Sequence, residues 1–384
     1  MKKDEQNCIE IVRAQDFSRI DVEVPASFEL RFPRNWIANP VQNRYAVAIE
    51  RETISWLESY GIGHSREEAE KLRKFNCGMY GGYSLPSASY QTGLLATQFL
   101  SLWLFWDDAQ VEEEDFCIEA VLEALIKGAE PRESSRYLAA WADVGRRLRR
   151  TQSEAWFTRL EYTMREWLEN AKIETRLAKA FQSGNACPEF SAAFECRTVS
   201  VGMIPTILLV ELAEGIELDE SFHQHETVVA LKRLASRLVG MGNDLGGLAK
   251  DISNRWLNLV LILKERSPMK IEDAFEQVIA IHNAEIEEFD RLTLELPSWG
   301  AGKDALVHGW IQAVRHSVHG FILWESTAER YQEFKAVVGK KALIAPISTV
   351  PAWGASTERY QEFKAVAGKK SLIAPVSTLP ALAA

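Results

Sequence analysis

Cysteine is sparse and unpatterned in this chain. Cys8, Cys77, Cys117, Cys187 and Cys196 are odd in number and never fall at CxxC spacing. That excludes a disulfide framework and a cysteine zinc site, and it suits a reducing, cytoplasmic setting. Basic residues are in the minority, 44 against 54 acidic, for a net charge of −10. With no basic stripe along the chain, nucleic acid is not an expected partner. Apolar runs of the roughly 20 residues needed to cross a bilayer are also missing. The longest candidate, Leu94 to Trp106, carries Thr97, Gln98 and Ser101. The opening MKKDEQNCIEIV lacks the apolar core of a secretory signal. The expectation is a soluble protein with no membrane partner.

What is there is long and apolar. The 384 residues are 47% apolar, ample for one large core in a single helical domain. Residues 1–27 read as a polar, partly apolar N-terminal arm, and Phe28 to Ala38 as extended chain. Asn39-Pro40 predicts a helix near Val41 to Tyr60, stopped by Gly61-Ile62-Gly63. A short amphipathic helix follows over 65–75; then the glycines and Pro86 of CGMYGGYSLP predict a loop. Beyond it, a 3.6-residue apolar period runs near 88–108, 115–127, 133–150, 153–182, 188–212, 224–263, 271–294 and 301–335. Strand alternation is lacking in all of these, so the class is all-α. One repeat is plain. The segment from Ser326 recurs from Ser356, with Arg359 matching Arg330, giving copies at 326–352 and 356–381. Two copies are too few for a solenoid; a tandem duplication within a C-terminal tail, 336–384, is the simpler reading.

Four polar groups interrupt the apolar helices. An aromatic run, Leu102 to Trp106, leads straight into Asp107 and Asp108, with Glu112 just past one turn further on. Mg2+ prefers hard oxygen ligands, keeps several waters, and is commonly held by one or two carboxylates plus phosphate oxygens. Paired carboxylates at the end of an apolar helix suit such a bridge, although an acidic first turn of the next helix would look the same. Asn243, Gly247 and Asp251 stand at i, i+4 and i+8 and share one helix face, with Lys250 beside it. The glycines around them are poor helix formers, and a locally costly sequence inside a long helix invites a functional reading. Arg197 lies in an apolar helix interrupted by Gly202 and Pro205. A broken helix can present a guanidinium to phosphate; a snorkelling arginine beside a proline kink accounts for the pattern equally well. Arg330 and Tyr331, late in the last helix, supply a fixed cation and a hydroxyl donor.

Together the four groups resemble those of the bacterial class I terpene synthases. Asp107, Asp108 and Glu112 match that family's DDxx(x)(D/E) motif, and Asn243, Asp244, Lys250 and Asp251 its NDxx(S/T)xx(K/R)(E/D) motif. Arg197 precedes Asn243 by 46 positions, as the family's diphosphate-sensing arginine does. Arg330-Tyr331 follows Asn243 by 87 positions, in the place of the family's Arg-Tyr pair. Asn39-Pro40, Trp56 and Gly61 match a common N-terminal pattern, and the likeness covers residues 30–335. Two positions depart from it: Gly247 stands where Ser or Thr is usual, and Asp251 where Glu is usual.

The resemblance implies a single antiparallel helical bundle of the class I terpenoid synthase type over residues 28–335, around an apolar cavity. It implies three Mg2+ ions, with Mn2+ an admissible substitute, held by Asp107, Asp108, Glu112, Asn243 and Asp251, with a water standing in at Gly247. Arg197, Lys250, Arg330 and Tyr331 would complete the diphosphate shell. Ser200, with the carbonyl of Val201 or Gly202, would relay diphosphate binding to the cation. Phe99, Leu100, Trp103, Trp106, Phe194, Trp310 and Trp324 are candidates for the cavity wall. The implied activity is ionisation of a linear prenyl diphosphate, farnesyl favoured and geranylgeranyl admissible, then cyclisation and release of pyrophosphate. A homodimer is compatible with the resemblance. A chain-elongating prenyltransferase would need a second DDxxD, and protonation-initiated cyclisation a DxDD; the sequence has neither. The rival from another class is a catalytically silent helical binding protein of the same fold.

Overall fold

Caps, glycines and a proline divide the chain into helices in the computed structural model, which describes residues 8–12, 19–23, 30–111, 116–131 and 135–329. In order they are α1 (Ala46–Ser59), α2 (Arg66–Phe75), α3 (Cys77–Ser84), α4 (Tyr90–Trp106), α5 (Ile118–Lys127), α6 (Arg136–Leu148) and α7 (Glu154–Gln182). Then come α8 (Phe190–Ser200), α9 (Met203–Glu214), α10 (Glu220–His223), α11 (Glu226–Asn254), α12 (Leu259–Arg266), α13 (Ile271–Thr293) and α14 (Ala301–Thr327). Ser65, Ser89, Ser135, Ser153 and Asp219 start α2, α4, α6, α7 and α10, each side-chain oxygen accepting the N–H three residues on. The all-α expectation holds. To it the N-terminal arm adds an antiparallel hairpin, β1 (Cys8–Val12) and β2 (Arg19–Glu23), whose register sets Ile9 opposite Val22 and Ile11 opposite Ile20. β1 lies along α11 and β2 along α13.

α4 is apolar on every side and almost wholly buried, as a central helix must be. It packs on α1, α3, α6 and α9, and α9 in turn packs on α7, α11 and α14. The helices carrying the two acidic groups, α4 and α11, are thus gathered around one centre.

Three local expectations are corrected. Of CGMYGGYSLP, the first eight residues form a helix, α3, whose glycines mark close packing, and only Leu85-Pro86 belong to the turn after it. A Cβ on Gly78 would lie 2.7 Å from the Ala46 carbonyl oxygen, and one on Gly81 would lie 2.0 Å from Thr97 Oγ1. The stretch 224–263 is not one helix: Arg255, at φ 51°, ends α11, and Asn258 caps α12. Among the described residues one stretch, the 25-residue Phe190–Glu214, is long and apolar enough by composition to cross a membrane. It is two helices broken at Val201–Gly202, and 78% of its most apolar window is buried inside the molecule, so core packing accounts for it. α14 ends at Thr327. Glu112, Arg330, Tyr331 and the duplicated tail lie outside the described residues.

Candidate active site

Asp107 and Asp108 follow α4 in a π-helical turn, Asp107–Val111. Such wide turns re-aim the side chains they carry and recur at functional sites. Both aspartates line a cavity, and Asp108 also pairs with Lys71 of α2 at 2.9 Å. From the other side α11 contributes Asn243, Gly247, Lys250 and Asp251 to the same cavity. The i, i+4, i+8 face is therefore real, and a Cβ added to Gly247 would stand 3.4 Å from Asp251 Oδ2. The two acidic helix ends face one space of about 1140 Å³, its open mouth included.

The break after α11 fastens its last turns. Asn258 donates Nδ2 to Asp251 Oδ2 and to the Asp244 carbonyl oxygen, both at 2.8 Å, while the Leu259 N–H donates to Asp244 Oδ2 at 2.8 Å. Asp244 is thus turned into the protein. Burial pushes its carboxyl up to about 6, the Arg197 guanidinium opposing that rise, and burial raises Asp251 in the same direction.

Arg197 stands between the motifs. Its Nε donates to Asp244 Oδ1 at 2.9 Å, one terminal nitrogen to Glu174 Oε1 at 3.2 Å and the other to Asn243 Oδ1. Burial disfavours its charge, but the carboxylates of Asp244, Glu174 and Asp251 override that and hold the guanidinium protonated. Asn243 Nδ2 donates to Glu325 Oε1 of α14 at 2.5 Å. The Asn243 amide is thereby oriented with its oxygen towards Arg197.

The α8–α9 break lies beside this network. Gly202 has φ 77°, a left-handed backbone, and a Cβ there would meet the Trp103 ring at 2.9 Å. The Gly202 carbonyl accepts from Thr206 Oγ1 at 2.8 Å, and the Ser200 carbonyl from Trp167 Nε1 at 2.8 Å. The residue four beyond Val201 is Pro205, which has no N–H. The break therefore singles out the Val201 carbonyl, and Val201 lines the cavity.

Of the wall candidates, Leu100 and Trp103 line the cavity. Phe99 and Trp106 stand behind that wall, each packed edge-to-face on Trp141. Phe194 lies under the Arg237 guanidinium, Trp310 donates to Glu211, and Trp324 stacks behind Tyr80 at 4.6 Å. Those five fill the core because buried aromatics at helical spacing need only be packed. Residues the sequence did not single out complete the wall: Tyr80, Trp167, Glu174, Thr206, Trp256 and Phe321. Tyr80 was hidden by the reading of α3 as a loop. Trp167 and Glu174 sit seven residues apart on one face of α7, a spacing visible in the sequence but common to any amphipathic helix.

Among the described residues, no three His, Cys, Asp or Glu side chains group closely enough to hold a metal unaided. The donors present are hard oxygens in two sets across an open space, with room for water at Gly247. That set fits Mg2+-like ions that take their remaining ligands from water and phosphate, and it suits neither zinc nor a soft metal.

Residues 98–288, spanning both acidic groups and Arg197, match the family model "Terpene synthase family 2, C-terminal metal binding". Sesquiterpene synthase 6 of Postia placenta is 24% identical over 289 residues, covering 73% of this chain and 84% of the relative. The (+)-T-muurolol synthase of Roseiflexus castenholzii is 23% identical over 297 residues, covering 75% and 89%. Among solved structures, α-eudesmol synthase superposes with a TM-score of 0.67 at 18% identity, over 80% of this chain and all of that one. Wild-type cucumene synthase gives 0.62 at 21% identity, over 78% and 100%. Residues 98–288 thus carry the metal-binding region of a terpene synthase, in a chain that shares the class I helical fold with those enzymes.

Proposed function

We propose that the protein ionises a linear prenyl diphosphate, farnesyl diphosphate foremost, at the mouth of this cavity and cyclises the resulting cation within it. The observation that carries the reading is the shared cavity of Asp107, Asp108, Asn243 and Asp251, with Leu100, Trp103, Trp167 and Phe321 in its wall. The choice of farnesyl rests on relatives: the muurolol, β-caryophyllene and 7-epi-α-eudesmol synthases are each named for cyclising (2E,6E)-farnesyl diphosphate. Mg2+, three ions by the family resemblance, would neutralise the diphosphate and make pyrophosphate a competent leaving group. Asp107 and Asp108 would hold it from one side, and Asn243 and Asp251 from the other. Arg197 has a planar fork of donors and gives the diphosphate a bidentate contact once it leaves Asn243. Lys250 adds a point charge. Arg330 and Tyr331 complete the shell in this reading. The aromatic wall then excludes water and faces the cation, each ring worth about 0.5–2 kcal/mol when desolvated.

The test is incubation with C10, C15, C20 and C25 diphosphates and Mg2+, with pyrophosphate release measured and products read by mass spectrometry. Cyclic hydrocarbon or alcohol from the C15 substrate is expected. Asp107→Ala and Asn243→Ala should each lower turnover at least about 100-fold, as removing a metal-holding oxygen does. A folded wild-type sample that releases pyrophosphate from none of the four substrates would overturn the proposal.

A further inference from the structure

One acid in the cavity wall has no role in the reading above. Glu174 lies on α7 and lines the cavity, and its Oε1 accepts from Arg197 at 3.2 Å and from Ser200 Oγ at 2.7 Å. Arg197 and Ser200 are three apart on α8 and share a face; Glu174 reaches that face from the neighbouring helix. On the same side of α7, Trp167 holds the Ser200 carbonyl. α7 therefore grips the last residue of α8 by both side chain and backbone. The next residue is Val201, whose carbonyl the proline break leaves without its helical partner.

We propose that Glu174 is a positioning residue of the reaction, coupling the Arg197 guanidinium to Ser200 and so setting where the Val201 carbonyl stands in the cavity. This rests on the terpene cyclase reading of the site. Arg197 is held by three acceptors: Glu174, Asp244 and the Asn243 amide oxygen. Asp244 is also fixed by the Leu259 N–H and cannot follow the guanidinium. Glu174 shares one oxygen between Arg197 and Ser200, so it is the partner whose loss is transmitted. When Arg197 turns to a diphosphate, the carboxylate keeps Ser200 as its donor, and a hydrogen bond to a charged acceptor that is shared with fewer donors strengthens. The pull falls on the residue before Val201. Sensing of diphosphate is thereby linked to the backbone at Val201, a residue that lines the cavity.

The experiment compares Glu174→Gln, Glu174→Ala, Ser200→Ala and the Glu174→Ala/Ser200→Ala double variant with the wild type. Readouts are kcat and KM for farnesyl diphosphate with Mg2+, product ratios, affinity for inorganic pyrophosphate with Mg2+, and thermal unfolding. Glu174→Ala should lower kcat about 10- to 100-fold, the range for a displaced supporting group. KM and pyrophosphate affinity should move by less than about threefold, because ground-state binding is retained. The share of acyclic or early-quenched products should rise. Glu174→Gln keeps the shape and an acceptor but not the charge, and should fall between wild type and Ala. The double variant should be no slower than the slower single variant, because both remove one coupling. If the Ala variant does not fold, the isosteric Gln variant decides. Wild-type kcat and product ratio in Glu174→Gln and Ala, or fully additive losses in the double variant, would overturn the inference. A loss of Tm with unchanged kcat per folded molecule would do the same. A wild type that turns over no prenyl diphosphate would instead remove the cyclase reading, and this inference with it.

Discussion

A Cβ placed on Gly247 would stand 3.4 Å from Asp251 Oδ2, an ordinary contact, and the residue sits inside α11 without a positive φ. Its backbone does not require glycine. In a helix interior glycine is about 1 kcal/mol less favourable than alanine, with serine roughly midway. Gly247→Ser should therefore stabilise the fold by about 0.5 kcal/mol and lower the Mg2+ concentration for half-maximal pyrophosphate release, because its hydroxyl supplies an oxygen on the Asp251 face. Gly247→Ala should stabilise by about 1 kcal/mol and raise that concentration, because its methyl displaces the water and offers no ligand. Metal-free thermal unfolding and a Mg2+ titration separate the two effects; an unchanged Mg2+ requirement in both variants removes position 247 from the metal site. At this scale the sequence made Asp107, Arg197, Asn243 and Asp251 legible, because the chain itself sets their spacing. Glu174 was illegible because its meaning comes from two donors on another helix. Phe194 and Trp310 were misassigned because a core aromatic and a cavity aromatic share the same helical period.

Glycine misleads at the scale of the element as well. In α3 it signalled a loop, whereas the structure uses it to bring α1, α4 and α14 against a short helix. The tightest of these approaches to backbone lies on α14: a Cβ on Gly320 would fall 2.1 Å from the Tyr83 carbonyl oxygen and 2.7 Å from the Ser84 nitrogen. Backbone cannot swing aside as a long side chain can. Gly320→Ala should cost about 1–3 kcal/mol from overpacking, after an offsetting gain of about 1 kcal/mol in helix propensity. Gly302, in the first turn of the same helix, has nothing within 4 Å of its would-be Cβ, and Gly302→Ala should stabilise by up to about 1 kcal/mol. Chemical denaturation of the two variants checks the opposite signs, and equal shifts would contradict the packing argument. Helix existence was legible from the apolar period along most of the chain, and the α8–α9 break from Gly202 and Pro205. The α11–α12 break was not, because Arg255 adopts a left-handed backbone with no glycine or proline to announce it. The N-terminal hairpin passed unnoticed although CIEIV and RIDVE alternate with period two.

Across the whole molecule, α14 brings the chain back to the mouth of the cavity. Trp324 stacks on Tyr80 of the wall, Glu325 accepts from Asn243, and Glu329 pairs with Arg73 of α2 at 2.8 Å. Arg330 is the next residue, five past Glu325, whereas its duplicate Arg359 follows 29 positions later. Closing the longer connection to the same site costs roughly 1–2 kcal/mol more in chain entropy, about a tenfold preference for the first copy. Deletion of residues 354–384 should therefore leave kcat unchanged, and Arg359→Ala should be silent. Arg330→Ala should lose most activity yet retain a residue of roughly one tenth, supplied by the second copy at that entropic disadvantage. The same substitution in the truncated chain should lose this remainder, since the only duplicate of the Arg330-Tyr331 segment, that with Arg359-Tyr360, is then removed. Pyrophosphate release by the four proteins measures each term. A truncated chain without activity would place the second copy at the diphosphate, and the chain beyond Glu329 would then have to reach back over 29 more residues to serve the site.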